Sequence, residues 1–333
     1  MLNDIHHVSI YGLDLAGVRS FLDKYFGITP IRLEGFDEGA GDAEESAAAL
    51  IKPKVAIFPV GPSMLEFMQP RARVGVHWDY IRRNGGKPTV SHICWKLEDI
   101  SARIKELVSR GAELAELVGT TGEAGVSPHG GYRVMNLFAE ESVRGVRFQL
   151  AEDLKSTEIE AIETGHMKTR SHMKSFGVAT DHRWHDTTET GGMLSHIHHA
   201  SFQVWGLDYV VDYMNNVFGV QPFKCEEIPS QGLRAASFRF GRTIAQFEEP
   251  TKFRNPNANF ALWFGSHSGF VGGGVSHVAW AVNDLDRSVA ELKKAGAKFV
   301  QKAPLMSAHG GYRVIEVVPE LSGGMQFQLC EDV

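Results

Sequence analysis

Apolar residues fall along this chain in two alternating patterns: short runs bounded by glycine or proline, and longer stretches with apolar positions three and four apart. The first pattern predicts strands and the second helices. Ile5-His6-His7-Val8-Ser9-Ile10 reads as a strand, followed by a helix over 13–25 with Leu15, Val18, Leu22 and Phe26 on one face and Gly27 as its stop. Strands come next at 54–58 and 64–68, parted by Gly61-Pro62 and closed by Pro70, and the acidic Gly- and Ala-rich stretch 34–48 before them reads as a loop. A second unit opens with a strand at Val90, has a helix over 100–109 with Ile104, Leu107 and Val108 inward, and continues in strands near 114–117, 132–137 and 146–150. A third opens at His198, with a helix over 207–218 and strands at 233–240 and 243–247; a fourth opens at Val275, with a helix over 285–295 and Gly296 as its stop.

These units are copies. Val90-Ser91-His92-Ile93-Cys94-Trp95 returns as Val275-Ser276-His277-Val278-Ala279-Trp280, and an acidic helix start follows each, Glu98-Asp99 and Asp284-Leu285-Asp286. His129-Gly-Gly-Tyr-Arg133 returns as His309-Gly-Gly-Tyr-Arg313, and Phe148-Gln149-Leu150 as Phe327-Gln328-Leu329. Repetition at this length predicts an α+β fold of four βαβββ modules paired into two domains, 1–152 and 195–333. Residues 153–194 match neither copy and read as a polar linker. Thr157-Glu-Ile-Glu160 in it has the form of a capping box, and its histidines 166, 172, 182 and 185 lack a regular metal-ligand spacing.

Length and composition narrow the setting. The 333 residues suit two domains of ordinary size, and 43% hydrophobic with 22% charged residues is the balance of a soluble globular protein. A net charge of -6 without a basic block argues against nucleic acid as a partner. The start of the chain has no signal-peptide pattern, and no apolar run is long enough for a bilayer. Three dispersed cysteines, Cys94, Cys225 and Cys330, fit a reducing cytoplasm rather than a disulfide scaffold. The expectation is a cytoplasmic protein acting on a small molecule, with a homo-oligomer left open.

The repeat also aligns potential ligands. His7 and His92 lie on the first strands of modules one and two, and Glu66 and Gln149 on their last strands. Imidazole with carboxylate suits Zn, Mn, Fe, Co or Ni, and two histidines with one carboxylate leave positions open for water or substrate. The expectation is one divalent metal ion per active site. The matching set in the second half is His199, Gln246, His277 and Gln328, a second metal site with no carboxylate; Glu248 lies two residues beyond Gln246. His6 and His198 each precede a proposed ligand and by strand alternation face the other way. In the repeated His-Gly-Gly-Tyr-Arg phrase, the glycines suit a hairpin turn, His129 is a candidate proton shuttle, and Arg133 and Arg313 are candidates for an anionic substrate group.

These positions resemble the vicinal oxygen chelate superfamily, which includes glyoxalase I, methylmalonyl-CoA epimerase, fosfomycin-resistance proteins and extradiol dioxygenases. The resemblance rests on the His7, Glu66, His92, Gln149 pattern and the βαβββ order, and covers nearly the whole chain outside the linker. Glu227-Ile-Pro-Ser-Gln-Gly-Leu-Arg with Phe238-Arg-Phe-Gly241 is similar to the epimerase and glyoxalase branch, as is Pro128-His-Gly-Gly followed by Gly145-Val-Arg-Phe-Gln149. It implies a metal-dependent lyase or isomerase that stabilises an enolate of a small carbonyl substrate, with Glu66 as base if it leaves the metal. The alternative is an Fe(II) dioxygenase of the extradiol or 4-hydroxyphenylpyruvate type, and a third reading is a binding protein without chemistry. Gln149 and Gln328 stand where the family usually has Glu, and no in-strand Glu marks an epimerase base.

Overall fold

The computed structural model describes residues 2–34, 53–83, 85–114, 124–127, 131–137, 148–155, 157–158, 192–252 and 273–333. Two curled sheets of eight strands account for most of it. The first contains β1 (Ile5–Tyr11), β2 (Arg32–Glu34), β3 (Lys54–Val60), β4 (Ser63–Gln69), β5 (Thr89–Lys96), β6 (Gly125–Val126), β7 (Tyr132–Asn136) and β8 (Phe148–Asp153), in the order β2-β3-β4-β1-β5-β8-β7-β6. The second contains β9 (His196–Val204), β10 (Lys224–Ile228), β11 (Leu233–Phe240), β12 (Thr243–Pro250), β13 (Gly273–Ala281), β14 (Leu305–Met306), β15 (Tyr312–Val317) and β16 (Phe327–Asp332), in the equivalent order. Module one therefore pairs with module two, and three with four. In each sheet the first strands of the two modules form the central antiparallel pair, β1 with β5 and β9 with β13, flanked by the parallel strands that end the modules.

The helices start and stop where the local sequence directs. Asp14 caps α1 (Leu15–Phe26) by accepting from Gly17 N at 2.8 Å, and Gly27 ends it at φ 66°, a left-handed turn that costs a side-chain-bearing residue about 1 kcal/mol. Asp99 caps α3 (Ile100–Ser109) and Asp284 caps α5 (Leu285–Lys294) in the same way. Helix α4 (Leu207–Tyr213) runs on into a wider π-turn over Met214–Phe218, so the predicted 207–218 span is one continuous segment of two pitches. An unexpected helix, α2 (Gly75–Arg83), lies between β4 and β5. The loop expected over 34–48 begins with Glu34 in β2, and the rest of it, with most of the expected linker, lies outside the described residues.

Alternation along β1 sends Val8 and Ile10 to one face and His7, Ser9 and Tyr11 to the other. The first face joins a core shared by both sheets. Phe148 of β8 lies 6.3 Å from Phe202 of β9 and 5.7 Å from Phe218, centroid to centroid. Trp95 of β5 meets Phe240 of β11 at 4.7 Å, and Phe21 of α1 meets Phe327 of β16 at 5.1 Å. The hairpin tips dock reciprocally as well. A Cβ on Gly61, between β3 and β4, would overlap the Ser195 carbonyl, and one on Gly241, between β11 and β12, would overlap Asp4. Both glycines have φ 56°, so a side chain there would meet backbone strain and a clash together.

Candidate functional sites

Two bulges build the first site. Along β1 the pairing with β5 steps from Ile5↔Trp95 to His7↔Cys94, leaving His6 as an extra residue; along β5 it steps from Ser9↔His92 to Ile10↔Val90, leaving Ser91 extra. A bulge turns two consecutive side chains toward one side, so the expectation that His6 faces away from His7 is corrected. His6 Nδ1 lies 2.8 Å from His7 Nδ1, and His6 Nε2 lies 3.0 Å from Asp153 Oδ1. On the other central strand Ser91 Oγ lies 2.8 Å from His92 Nδ1.

These contacts constrain the tautomers of His6 and His7. The Asp153 carboxylate can only accept, so His6 carries its proton on Nε2; its Nδ1 then accepts from His7 Nδ1–H. The His7 Nε2 lone pair therefore points inward. Ser91 Oγ can donate to His92 Nδ1 or accept from it. In the first case His92 Nε2–H donates to His7 Nε2 across the 3.2 Å between them, and in the second both Nε2 lone pairs are free for a cation. Glu66 lies on β4 across from Ser9, and the donor atoms of His7, Glu66 and His92 all fall within 4.8 Å of one another. All three are buried. This donor set fits a divalent ion: two imidazoles, one carboxylate, and outer hydrogen bonds that orient the rings. Gln149, the expected fourth ligand, is on β8 and donates to Asn136 Oδ1 at 3.0 Å.

The surroundings of the set are apolar. Tyr132 tilts over both His6 and His7, and Tyr11, Met64, Met68, Cys94 and Val134 share that face. Helix α2 packs on it through Ile81, with Trp78 and Tyr80 beside it. Burial, with Glu66 and Asp153 nearby, pushes the Cys94 thiol up, so it stays protonated.

The second sheet repeats the bulges, at His198 and Ser276, and with them the relay. Asp332 Oδ1 lies 3.0 Å from His198 Nε2, His198 Nδ1 lies 2.8 Å from His199 Nδ1, and the Nε2 atoms of His199 and His277 are 3.1 Å apart. Burial holds the His199 and His277 rings below the usual imidazole range, His199 by the larger margin. The lateral donors differ from those of the first sheet. Gln246, at the Glu66 position, exchanges hydrogen bonds with the Tyr312 hydroxyl, whose pKa burial pushes up to about 12. Among the described residues no carboxylate closes on His199 and His277 as Glu66 does on its pair. The neutral set His199, Gln246, His277 and Gln328 suits a divalent ion less well than the set in the first sheet.

The second sheet has instead a polar cavity of about 320 Å³. At its edge the His309 ring is held between two carboxylates, Nδ1 at 3.0 Å from Glu226 Oε1 and Nε2 at 3.0 Å from Glu248 Oε1. Both ring nitrogens can donate at once only in the imidazolium form. Burial opposes that charge, but the paired carboxylates outweigh it and raise the pKa of His309. Burial likewise opposes ionisation of Glu248, yet the His309 hydrogen bond and the nearby imidazoles hold its carboxyl below the usual range. Lys224 Nζ lies 2.7 Å from Glu226 Oε2. The sequence pointed to this place through His199, His277, Gln328 and Glu248 and through the repeated His-Gly-Gly-Tyr-Arg phrase; Glu226 and Gln203, on other strands of the third module, carried no signal of their own.

The remaining expected residues are placed elsewhere. Arg133 follows Tyr132 on β7, so it projects from the opposite face, where it pairs with Glu158 at 2.7 Å. Arg313 does the same after Tyr312, pairing with Asp286 at 2.9 Å and with Glu331. His129 lies outside the described residues.

Two curled sheets with a histidine pair at each centre define a tandem two-domain fold. A family profile described as the Glyoxalase/Bleomycin resistance protein/Dioxygenase superfamily matches residues 6–128 and 198–315, most of the chain, and the protein belongs to that superfamily. Human mitochondrial methylmalonyl-CoA epimerase is 24% identical over 136 residues, which is 41% of this chain and 73% of the epimerase. A 4-hydroxymandelate synthase variant from Streptomyces coelicolor superposes with a TM-score of 0.64 at 15% identity, covering 99% of this chain and 93% of that one. A xylose isomerase-like TIM barrel/4-hydroxyphenylpyruvate dioxygenase fusion protein superposes at 0.56 and 14% identity, covering 100% of this chain and 49% of that one. At such identities the likeness to the solved structures is one of fold. No helix among the described residues is long and apolar enough to cross a membrane.

Proposed function

We propose that the chain is a metal-dependent lyase or isomerase of the glyoxalase and epimerase type, acting on a small enolisable carbonyl compound in its first sheet. The observation that carries this reading is the convergence of His7, Glu66 and His92 within 4.8 Å, with the His7 ring oriented by Asp153–His6 and the His92 ring held by Ser91. A divalent ion held there supplies Lewis-acid stabilisation of negative charge on a substrate oxygen. The chain's own contribution is orientation and proton handling. His6 and Ser91 fix the rings, the cover of Trp78, Tyr80 and Ile81 limits water, and Glu66, having two oxygens, can take up the substrate proton with one of them. The likeness to an epimerase over 41% of the chain supports the reaction class.

A second reading, an Fe(II) dioxygenase, draws support from the same two-histidine, one-carboxylate set, from the engagement of Gln149 with Asn136, and from the aromatic wall of Tyr11, Tyr132 and Tyr80. Metal analysis of anaerobically purified protein, with His92→Ala in parallel, separates the two. Zinc, nickel or cobalt that is lost in the variant, with substrate-proton exchange in D2O and no oxygen consumption, is the expected result. Iron with oxygen uptake would move the assignment to the dioxygenase, and a metal content untouched by His92→Ala would overturn both.

A further inference from the structure

The second sheet's cavity has no role in that reaction, and its lining is unusual. Gln203, Gln231, Gln301, Gln326 and Gln328 all face it, together with His309. Among the described lining residues there is no Lys or Arg. The charges at its edge cancel: Glu226 and Glu248 are matched by the His309 imidazolium and the Lys224 ammonium, each in direct contact with a carboxylate. Such a lining gives an anionic ligand such as a phosphate or carboxylate no counter-charge. It gives a cation no unbalanced carboxylate either.

Gln203 supplies the second observation. It is 1% exposed, and its Nε2 donates to Glu248 Oε2, which fixes the direction of the amide because a carboxylate cannot donate. Its Oε1 is then an acceptor, and it has no hydrogen-bond partner among the described residues. A buried acceptor left unmade is destabilising, a penalty that a donor from a ligand in the cavity removes. Glutamine amides offer one donor pair and one acceptor each, the complement of hydroxyl groups, which also do both.

We propose that this cavity, whose lining includes His199, His277 and Gln328, is a second binding site, independent of the His7, Glu66 and His92 set, for a small uncharged polyhydroxylated molecule such as a sugar or polyol, with one ligand hydroxyl donating to Gln203 Oε1. A volume of about 320 Å³ lies at the small end of the ~300–1,000 Å³ range of ligand pockets, the right scale for one compact molecule. The second sheet carries the amide of Gln246 where the first carries the carboxylate of Glu66, with further amides around it.

Ligand-observed NMR titration of the full chain tests this, with D-xylose, myo-inositol and glycerol as uncharged probes and D-xylonate and D-glucose 6-phosphate as charged ones. The expected result is saturable binding of at least one uncharged probe and of neither anion. Gln203→Leu should weaken it roughly tenfold or more, the worth of one good hydrogen bond. Gln328→Leu, at a half-exposed position that tolerates substitution, should weaken it too and serves if the Gln203 variant fails to fold. His92→Ala should leave it unchanged. Failure of all three uncharged probes, tighter binding of the anions, or loss of binding in His92→Ala would overturn the proposal. Because none of these readouts depends on metal or turnover, they leave the metal assignment in the first sheet untouched.

Discussion

At the scale of single residues, the site depends on which nitrogen of each ring carries a proton, and Asp153 sets that choice for the first sheet. Burial opposes its ionisation, but the hydrogen bond from His6 and the neighbouring Lys96 outweigh this and hold its carboxyl well below the usual range. A folded-state pKa below the unfolded value of ~3.9 stabilises the fold above that pH, and the gain disappears as pH falls through the folded value. Asp153→Asn should therefore cost about 2 kcal/mol near neutral pH, the worth of a charge-assisted hydrogen bond. The difference from the parent chain should shrink below pH ~4, where the unfolded-state carboxyl protonates. Urea melts at pH 7 and pH 3 check the sign, and a constant difference would show that the carboxylate is not the active element. The same variant should lower metal affinity about 10–100-fold, as loss of an outer partner typically does. His7, His92 and Glu66 were legible as candidate ligands because the repeat aligned the strands that carry them. Their partners were not: strict alternation sends His6 and His198 to the wrong face, and only the bulges bring them back.

At the scale of elements, the central strands and four of the five helices follow from period and punctuation, whereas the short edge strands β2, β6, β10 and β14 do not. The strand expected near 114–117 is only an isolated bridge at Leu114, with 115–117 outside the described residues. Helix α2 does not follow from period and punctuation either. It has nine residues, no cap contributed by an Asp or Ser, and few apolar positions, so its stability comes from packing Ile81, with the partly buried Trp78 and Tyr80, onto the face that holds His7 and Glu66. On the proposed function this packing makes it a cover. Trp78→Ala should leave the overall melting point nearly unchanged, because Trp78 is only half-buried. It should speed removal of the bound metal by a chelator several-fold. Ile81→Ala, which empties a fully buried position, should in addition destabilise the chain by about 2–5 kcal/mol. Stopped-flow chelation beside thermal melts distinguishes the two. Chelation rates equal to the parent's in both variants would mean that α2 covers nothing the metal must cross.

At the scale of the molecule, the repeat in the sequence describes two equivalent domains, but nothing in period or composition says how they meet. The structure joins them by the faces opposite the histidines. Phe148, on the last strand of the first sheet, sits in an aromatic stack with Phe202 and Phe247 of the second, and the glycine hairpin tips exchange contacts with Ser195 and Asp4. A core divided this way belongs to neither half. Either half alone would expose Trp95 and Phe148 on one side or Phe240 and Phe327 on the other, an apolar patch of the kind that drives association. Unfolding of the full chain should then be one cooperative event, with the calorimetric and van't Hoff enthalpies equal. Phe148→Ala should lower that single transition by the cost of a core aromatic, about 3–5 kcal/mol, without splitting it. Scanning calorimetry of the parent and this variant decides the matter: two resolved transitions, one of them unmoved by the substitution, would show halves that fold separately. A single transition that shifts as a whole would mean that the metal set of one sheet and the polar cavity of the other stand on the same core.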